Sequence, residues 1–577
     1  FISTAYRLEV GHPPGAPFFM LMGRFFSLFA SDASQVAKMI NSLSALASAF
    51  TILFLFWSIT HLARKVVVKD ESKISLSQQI AILGAGVVGA LAYTFSDTFW
   101  FSAVEGEVYA SSSFFTAIVF WAILKWEDTA ETAHADRWLI LIAYLMGLSI
   151  GVHLLNLLAI PAIVLVYYFK KYPISVKGIM LALVSSIAIL GLLMYGLIPG
   201  VMKVASWIEL FFVNSLSLPF NTGLIVYLLL LFSILIWGIY ESYAGERIIR
   251  IKISFLLSII LSGIPFIFES VFLGILVCLG LIGYTFYTKR EVPLRLVHTI
   301  LLALFVIVIG YSSYAIIVIR SAANPPMDQN SPDNVFALQS YLNREQYGDR
   351  PLLYGQTYNA ELKLDVKGDE CIPVTKEGAT IWAPAEKKNP SEKDRYIATG
   401  KKITYVYDDK FNTLFPRMYS SDESHIRAYK EWANVKGRKV IHDRCGQTIV
   451  ADVPTFGENL FFFFSYQLNY MYWRYFMWNF SGRQNDLQGS GDIDKGNWIT
   501  GIDFIDALMI GPQKDLPPYL ANNKAKNKYY LLPLLLGILG ILFQLYKGKK
   551  GVQRFWVTFT LFFMTGIAIV LYLNQTP

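Results

Sequence analysis

Residues 296–319 read LVHTILLALFVIVIGYSSYAIIVI, sit between Arg295 and Arg320, and contain no Asp, Glu, Lys or Arg. An uncharged apolar run of this length crosses the hydrocarbon core of a bilayer as an α-helix, which needs about 20 residues. Outward from it, comparable runs recur along the chain and the charges collect in short patches between them. Only 16% of the 577 residues are charged and 54% are hydrophobic, against roughly 25% charged in an ordinary soluble domain. The chain reads as a polytopic α-helical membrane protein.

Basic patches fall at 64–73, at Lys170, Lys171 and Lys177, at 247–252, at Lys289, Arg290 and Arg295, and at 547–554. Placing them in the cytoplasm, as the positive-inside rule requires, sets about twelve spans. They run near 40–63, 80–99, 107–126, 138–152, 154–170, 178–198, 223–241, 252–266, 269–287, 296–319, 529–546 and 555–574. Every alternate loop then lies outside without conflict. The net charge of +8 thus belongs to loops that orient the chain, and nucleic acid is not an expected partner. Residues 14–29 are short, carry Arg24 and have both ends outside by parity. They read as an interfacial helix within a first outer loop at 1–39.

Three regions follow: a membrane bundle over 1–320, a soluble α+β periplasmic domain over 321–528, and a C-terminal transmembrane hairpin over 529–577. In the middle region apolar runs give way to Asn, Asp, Lys, Tyr and Pro, with strand-like stretches at 350–354, 402–407, 439–441 and 448–453. Residues 461–480, FFFFSYQLNYMYWRYFMWNF, lie near Arg474 and Arg483. Their rings suit either sugar faces or a packing helix at an interface, the commoner use of such segments. Cys278 falls in a span and reads as a small core residue. Cys371 and Cys445 share the outer domain, where an oxidising compartment allows them to pair; two free thiols are the alternative. No His/Cys set has zinc spacing, and no Walker loop or dinucleotide fingerprint occurs.

The chemistry gathers in outward loops. Residues 9–17, EVGHPPGAP, place Glu9 and His12 before a helix start, since consecutive prolines sit only at or before one. A helix N-terminus beside an imidazole suits an anion; a proline-capped interfacial helix is the plainer reading. The loop SDTFWFSAVEGEVY at 96–109 carries Glu105 and Glu107, with Tyr109 following. Acids at a helix start are tolerated by the dipole, yet paired carboxylates at a bundle mouth are costly unless solvated, paired or useful. GVHLLN at 151–156 sets His153 and Asn156 among leucines, which makes them pocket candidates on the same ground.

Taken in order, GHPPGAPFF, EGEVYA, GVHLLN, NREQYGDRPLLYG and YMYWRYFMWNFSGRQND resemble the GT-C superfamily of polyprenyl-phosphate-dependent glycosyltransferases. More closely, they resemble a multi-pass family typical of Bacteroidetes that is related to protein O-mannosyltransferases. The likeness runs from residue 1 to about residue 546. It implies a bacterial inner-membrane enzyme that moves a sugar, mannose in its relatives, from a polyprenyl-phosphate carrier to Ser/Thr hydroxyls of exported proteins, with inversion. It also implies Glu105 and Glu107 as catalytic acids or bases, and His12, Gly15, Arg474 and Arg483 around the donor phosphate. The pocket would be completed by Tyr109, His153 and Asn156. No cofactor is implied beyond the lipid-linked sugar, and the question of a divalent metal stays open. The family's principal acid lies upstream of the HPP turn. Glu9 is the only acid before His12 in this numbering, so that acid is expected just before Phe1, with Glu9 as the alternative. Rival readings are a transporter or lipid flippase, a scaffold anchoring the outer domain, or transfer to an envelope glycan or lipid.

Overall fold

The computed structural model describes residues 1–68, 73–268, 270–287, 293–348, 350–367 and 370–577. Lys289 and Arg290, residues 69–72 of the first basic patch, and Asp349 lie outside the described residues. Among the described residues, nine helices are long and apolar enough to cross a membrane. They are Ala33–Val67, Leu76–Thr94, Val108–Thr129, Leu154–Lys171, Val176–Ser215, Thr222–Ala244, Ile248–Phe266, Leu294–Ser321 and Gly548–Leu573. The chain is a polytopic helical membrane protein.

Three further apolar helices, Arg137–Ile150, Val271–Tyr287 and Leu532–Tyr546, underlie the remaining expected spans. With 14, 17 and 15 residues they are shorter than the other nine. At 1.5 Å per residue they reach roughly 21–26 Å, less than a hydrocarbon core of about 30 Å. The helix expected to end at 198 instead continues through Val176–Ser215. Pro199 cannot donate within a helix, and the backbone widens to π geometry over Leu192–Leu197, immediately before it.

Two compact units are distinguished. The first comprises Phe1–Phe95, Phe99–Gly348 and Ala379–Lys401; the second comprises Ser96–Thr98, Asp349–Gly378 and Lys402–Pro577. Within the first, helices Arg137–Ile150 and Leu294–Tyr311 cross at Gly147 and Gly310. A Cβ on Gly147 would stand 2.7 Å from the Ile307 carbonyl oxygen, and one on Gly310 would stand 2.3 Å from the Gly147 backbone. Small residues let helix backbones touch inside a membrane bundle, and this crossing fixes the helix that delivers the 151–156 turn. Near its other end, Arg295 Nε donates to Asp136 at 2.6 Å.

The 379–401 hairpin tip is anchored inside the same unit. Asn214 donates to the Tyr396 carbonyl at 2.9 Å and accepts from its N–H at 2.8 Å. Glu209 is fully buried and accepts from the Asn221 and Leu224 N–H groups at 2.6 and 2.9 Å and from Tyr396 Oη at 3.2 Å. A buried carboxylate is stable there because it meets the free N–H groups at the start of helix Thr222–Ala244.

The second unit holds short antiparallel pairs. Arg438–Arg444 pairs with Gln447–Val453, covering the expected strands at 439–441 and 448–453. The expected strand at 350–354 does not form: extended pairing begins only at Tyr354–Gln356, against Asn412–Leu414. Pro351 has no N–H to give a ladder. The aromatic segment is helical from Phe456 to Phe480, with a π stretch at Phe463–Trp473. It buries Phe462, Tyr466 and Tyr470 against Tyr358, Met418 and Tyr429. That face of the helix is a packing face. Cys371 and Cys445 are bonded, with Cα atoms 6.1 Å apart, and Cys278 is free and buried.

Candidate functional site

The turn at 9–17 is built by long-range hydrogen bonds. Helix Ile2–Arg7 ends at Leu8 in a left-handed conformation, and its last carbonyls are covered by Arg320, which donates to Leu8 O at 2.7 Å and Arg7 O at 3.3 Å. Val10 donates to Met327 O at 3.0 Å and accepts from Gln329 N at 3.1 Å. Tyr341 Oη then donates to Gly11 O at 2.7 Å, and Arg344 Nε to Pro13 O at 3.2 Å. Gly15 closes the turn by donating to His12 O at 2.7 Å. Its φ is +82°, and a Cβ would fall 2.6 Å from Tyr341 Oη, so glycine is required twice over. The His12 side chain is exposed.

The Gly15 N–H is taken up by His12 O, the Phe18 N–H donates to Gly151 O at 2.8 Å, and Pro17 has none. Gly15 therefore spends its amide on closing the turn. Glu9 is 8% exposed, with Oε1 3.8 Å from Arg7 Nη1 and accepting no hydrogen bond among the described residues. At that distance the pair is an ion pair without a shared proton.

Three loops of the first unit come together. Helix Arg137–Ile150 ends at Gly151, and His153 Nδ1 accepts from Leu155 N at 3.4 Å, opening the 3₁₀ turn Leu154–Ala159. That bond leaves Nε2 to carry the proton of the neutral ring. Burial, and then the Arg344 guanidinium, hold the imidazole below its ordinary value. The Tyr109 ring lies 6.0 Å from that of His153. Asn156 is 2% exposed; its Oδ1 accepts from Ser112 at 2.6 Å and Thr116 at 3.2 Å, while Nδ2 is buried without a partner among the described residues.

The two glutamates separate in role. Glu107 is the N-cap of Val108–Thr129 and accepts from Val108 N at 3.4 Å, which is the helix-start function. Glu105 is half-buried, and its carboxyl is raised above the ordinary value by burial first and by Glu107 second. A Cβ on the intervening Gly106 would meet Ile2 at 2.8 Å and Asn41 Oδ1 at 3.0 Å, so this loop lies against the first helix.

Arg474 and Arg483 belong to the second unit. Arg474 is 3% exposed, donates to Tyr470 O and Gly496 O at 3.0 Å each, and lies 4.0 Å over the Tyr470 ring. Arg483 donates to Ala525 O at 3.0 Å and stands 3.8 Å from Asp97. Both guanidiniums thus bind neighbours of their own unit, while Arg474 Nη2 is buried without a hydrogen-bond partner among the described residues. Sequence reasoning missed Tyr341 and Arg344, which reach the HPP turn from 330 and 331 positions away. The only signal was the presence of Arg344 in the NREQYGDRPLLYG segment. Among the described residues no group of three or more His, Cys, Asp or Glu is placed to hold a metal ion.

Residues 1–175 match the family model described as the protein O-mannosyl-transferase TMEM260 N-terminal domain. The N-terminal part of the chain is thus similar to an O-mannosyltransferase domain. A curated Dictyostelium discoideum protein, "Protein O-mannosyl-transferase tmem260", is 24% identical over 175 residues. That match covers 29% of this chain and 19% of the relative, so it reaches about a fifth of the curated protein's length. Residues 348–464 match a family of unknown function, DUF8416. No solved structure matches. Glu9, His12, Gly15, Glu105, Glu107, Tyr109, His153 and Asn156 all fall within the matched 1–175, whereas Arg344, Arg474 and Arg483 fall outside it.

Proposed function

We propose that the chain is a membrane glycosyltransferase that moves a sugar from a polyprenyl-phosphate carrier to Ser/Thr hydroxyls of exported proteins. The observation that carries this reading is the convergence, inside the unit containing the O-mannosyltransferase-like segment, of an acid loop, a histidine turn and the HPP turn. Tyr109 meets His153, and Arg344 couples His153 electrostatically to the Pro13 carbonyl it binds. Single displacement at the anomeric carbon needs a carboxylate to take the hydroxyl proton and cationic donors to hold the departing phosphate. Glu105 is the best-suited base, being half-buried with a raised carboxyl, and attack opposite the leaving group inverts the anomeric centre. His12 and Arg344 are the donors at hand for the phosphate, and a neutral His153 serves as a hydrogen-bond donor through Nε2. The site faces the outer side in a bacterial inner membrane, with the large soluble region in the periplasm.

Purified protein incubated with radiolabelled polyprenyl-phosphate mannose and an envelope protein fraction should transfer label to protein, and β-elimination should release it. Absence of donor-dependent transfer, with the protein folded and the lipid intact, would overturn the reading.

A further inference from the structure

We propose that the large cavity of the second unit is an oligosaccharide-binding site. The cavity measures about 870 Å³ and is lined by helix Glu423–Ala433, the aromatic helix, the loop at 488–490, Arg350 and the segment 573–577. That volume falls in the range of pockets that enclose small organic ligands, roughly 300–1,000 Å³, and exceeds what one pyranose ring fills. The proposal does not depend on the transferase reading, because it concerns binding within the second unit alone.

The lining chemistry selects the ligand. Trp432 is the part-exposed aromatic of the lining, its ring centroid 5.2 and 4.9 Å from those of the buried Tyr466 and Tyr470 that back it. Arg427, Glu431 and Gln488 add planar, fork-shaped polar heads to the lining and are exposed. Arg427 and Glu431 stand four apart on one helix face, yet no hydrogen bond or ion pair joins them to each other or to any described residue. Arg before Glu is also the weaker order for such a pair, so both heads are free for a ligand. Adjacent hydroxyls of a sugar match such forks, and apolar ring walls accept its C–H faces.

Other ligands fit less well. The two rim charges cancel, and Arg350 already donates to the Leu573 carbonyl at 3.0 Å, so no concentrated charge invites a phosphate or an acidic peptide. An extended peptide is held through main-chain hydrogen bonds. Here the lining carbonyls of Gly489 and Thr576 already accept from Tyr470 and Tyr466. What remains open is side chains, the hallmark of polyol recognition. Arg427, Glu431 and Trp432 all lie within the 348–464 segment whose family has no assigned function.

The test is calorimetric titration of the full-length protein in detergent with mannotriose, xylotriose and maltotriose, alongside a Ser/Thr-rich nonapeptide. At least one trisaccharide should bind saturably, and both Arg427→Ala and Glu431→Ala should weaken it about tenfold, as loss of a hydrogen bond from a charged group does. Both side chains are exposed, so unchanged thermal melting should accompany the loss. No binding of any trisaccharide, parental affinity retained in either variant, or binding of the peptide alone would each overturn the proposal.

Discussion

Glu105 and Glu107 are two positions apart and chemically alike, but their surroundings assign them different work. Glu105→Gln should lower donor-dependent transfer by ~100-fold or more, the range expected on removing a general base, whereas Glu107→Gln should change turnover only a few-fold. The raised carboxyl of Glu105 also sets a sign for pH. With Glu105 as the proposed base, the acid limb of the rate profile should sit above the ordinary carboxyl value, and initial rates across pH 4–8 check this. For His153 the folded value is depressed from 6.5, so the unfolded chain binds that proton more readily. Stability should therefore decline as pH falls through 6.5, and His153→Gln should flatten that part of a melting-temperature profile. The acids and the histidine were legible from the sequence because charge and imidazole among leucines require an explanation. The role of Gly15 was not, since what demands a glycine there is Tyr341, a ring 326 positions later. Gly15→Ala should cost at least about 1 kcal/mol from the positive φ alone, measurable by chemical denaturation, with donor affinity reduced as the turn shifts.

Among the elements, the helices were readable because apolar runs have no other stable arrangement in lipid. The small strands were readable only where alternation was regular, as in Arg438–Arg444 and Gln447–Val453. The packing of the hairpin tip on Asn214 and Glu209 had no signal in either segment, because a buried glutamate looks like any acid until its partners are known. That anchor gives a prediction at this scale. Glu209→Ala leaves the Asn221 and Leu224 N–H groups and Tyr396 Oη without their acceptor. At about 1–3 kcal/mol for each buried group left unsatisfied, the variant should melt well below the parent in detergent. Proteolysis should then cut first within 379–401. A melting point equal to the parent's would show that the anchor carries no stability.

For the whole molecule, the alternation of basic loops and the bonded cysteines make one joint prediction. A cysteine introduced at 400 should react with an impermeant maleimide from the outer side. Cys371 and Cys445 should resist alkylation under denaturing, non-reducing conditions and become reactive after reduction. Labelling of position 400 from the cytoplasm alone would reverse the proposed topology.

The crossing at Gly147 and Gly310 bears on how this sequence can drift. With backbone against backbone, a side chain at either position has no room unless the helices part, and parting them would strain the link between Arg295 and Asp136 and the turn carrying His153. The two glycines thus vary, or fail to vary, as a single locus, although 163 positions separate them. Leu296 and Ile300, on the same helix but 56% and 37% exposed toward the surrounding apolar phase, are free to exchange among apolar types. A deep mutational scan scored by surface expression should show intolerance confined to a stripe through Gly310, with the lipid-facing side of the same helix nearly silent.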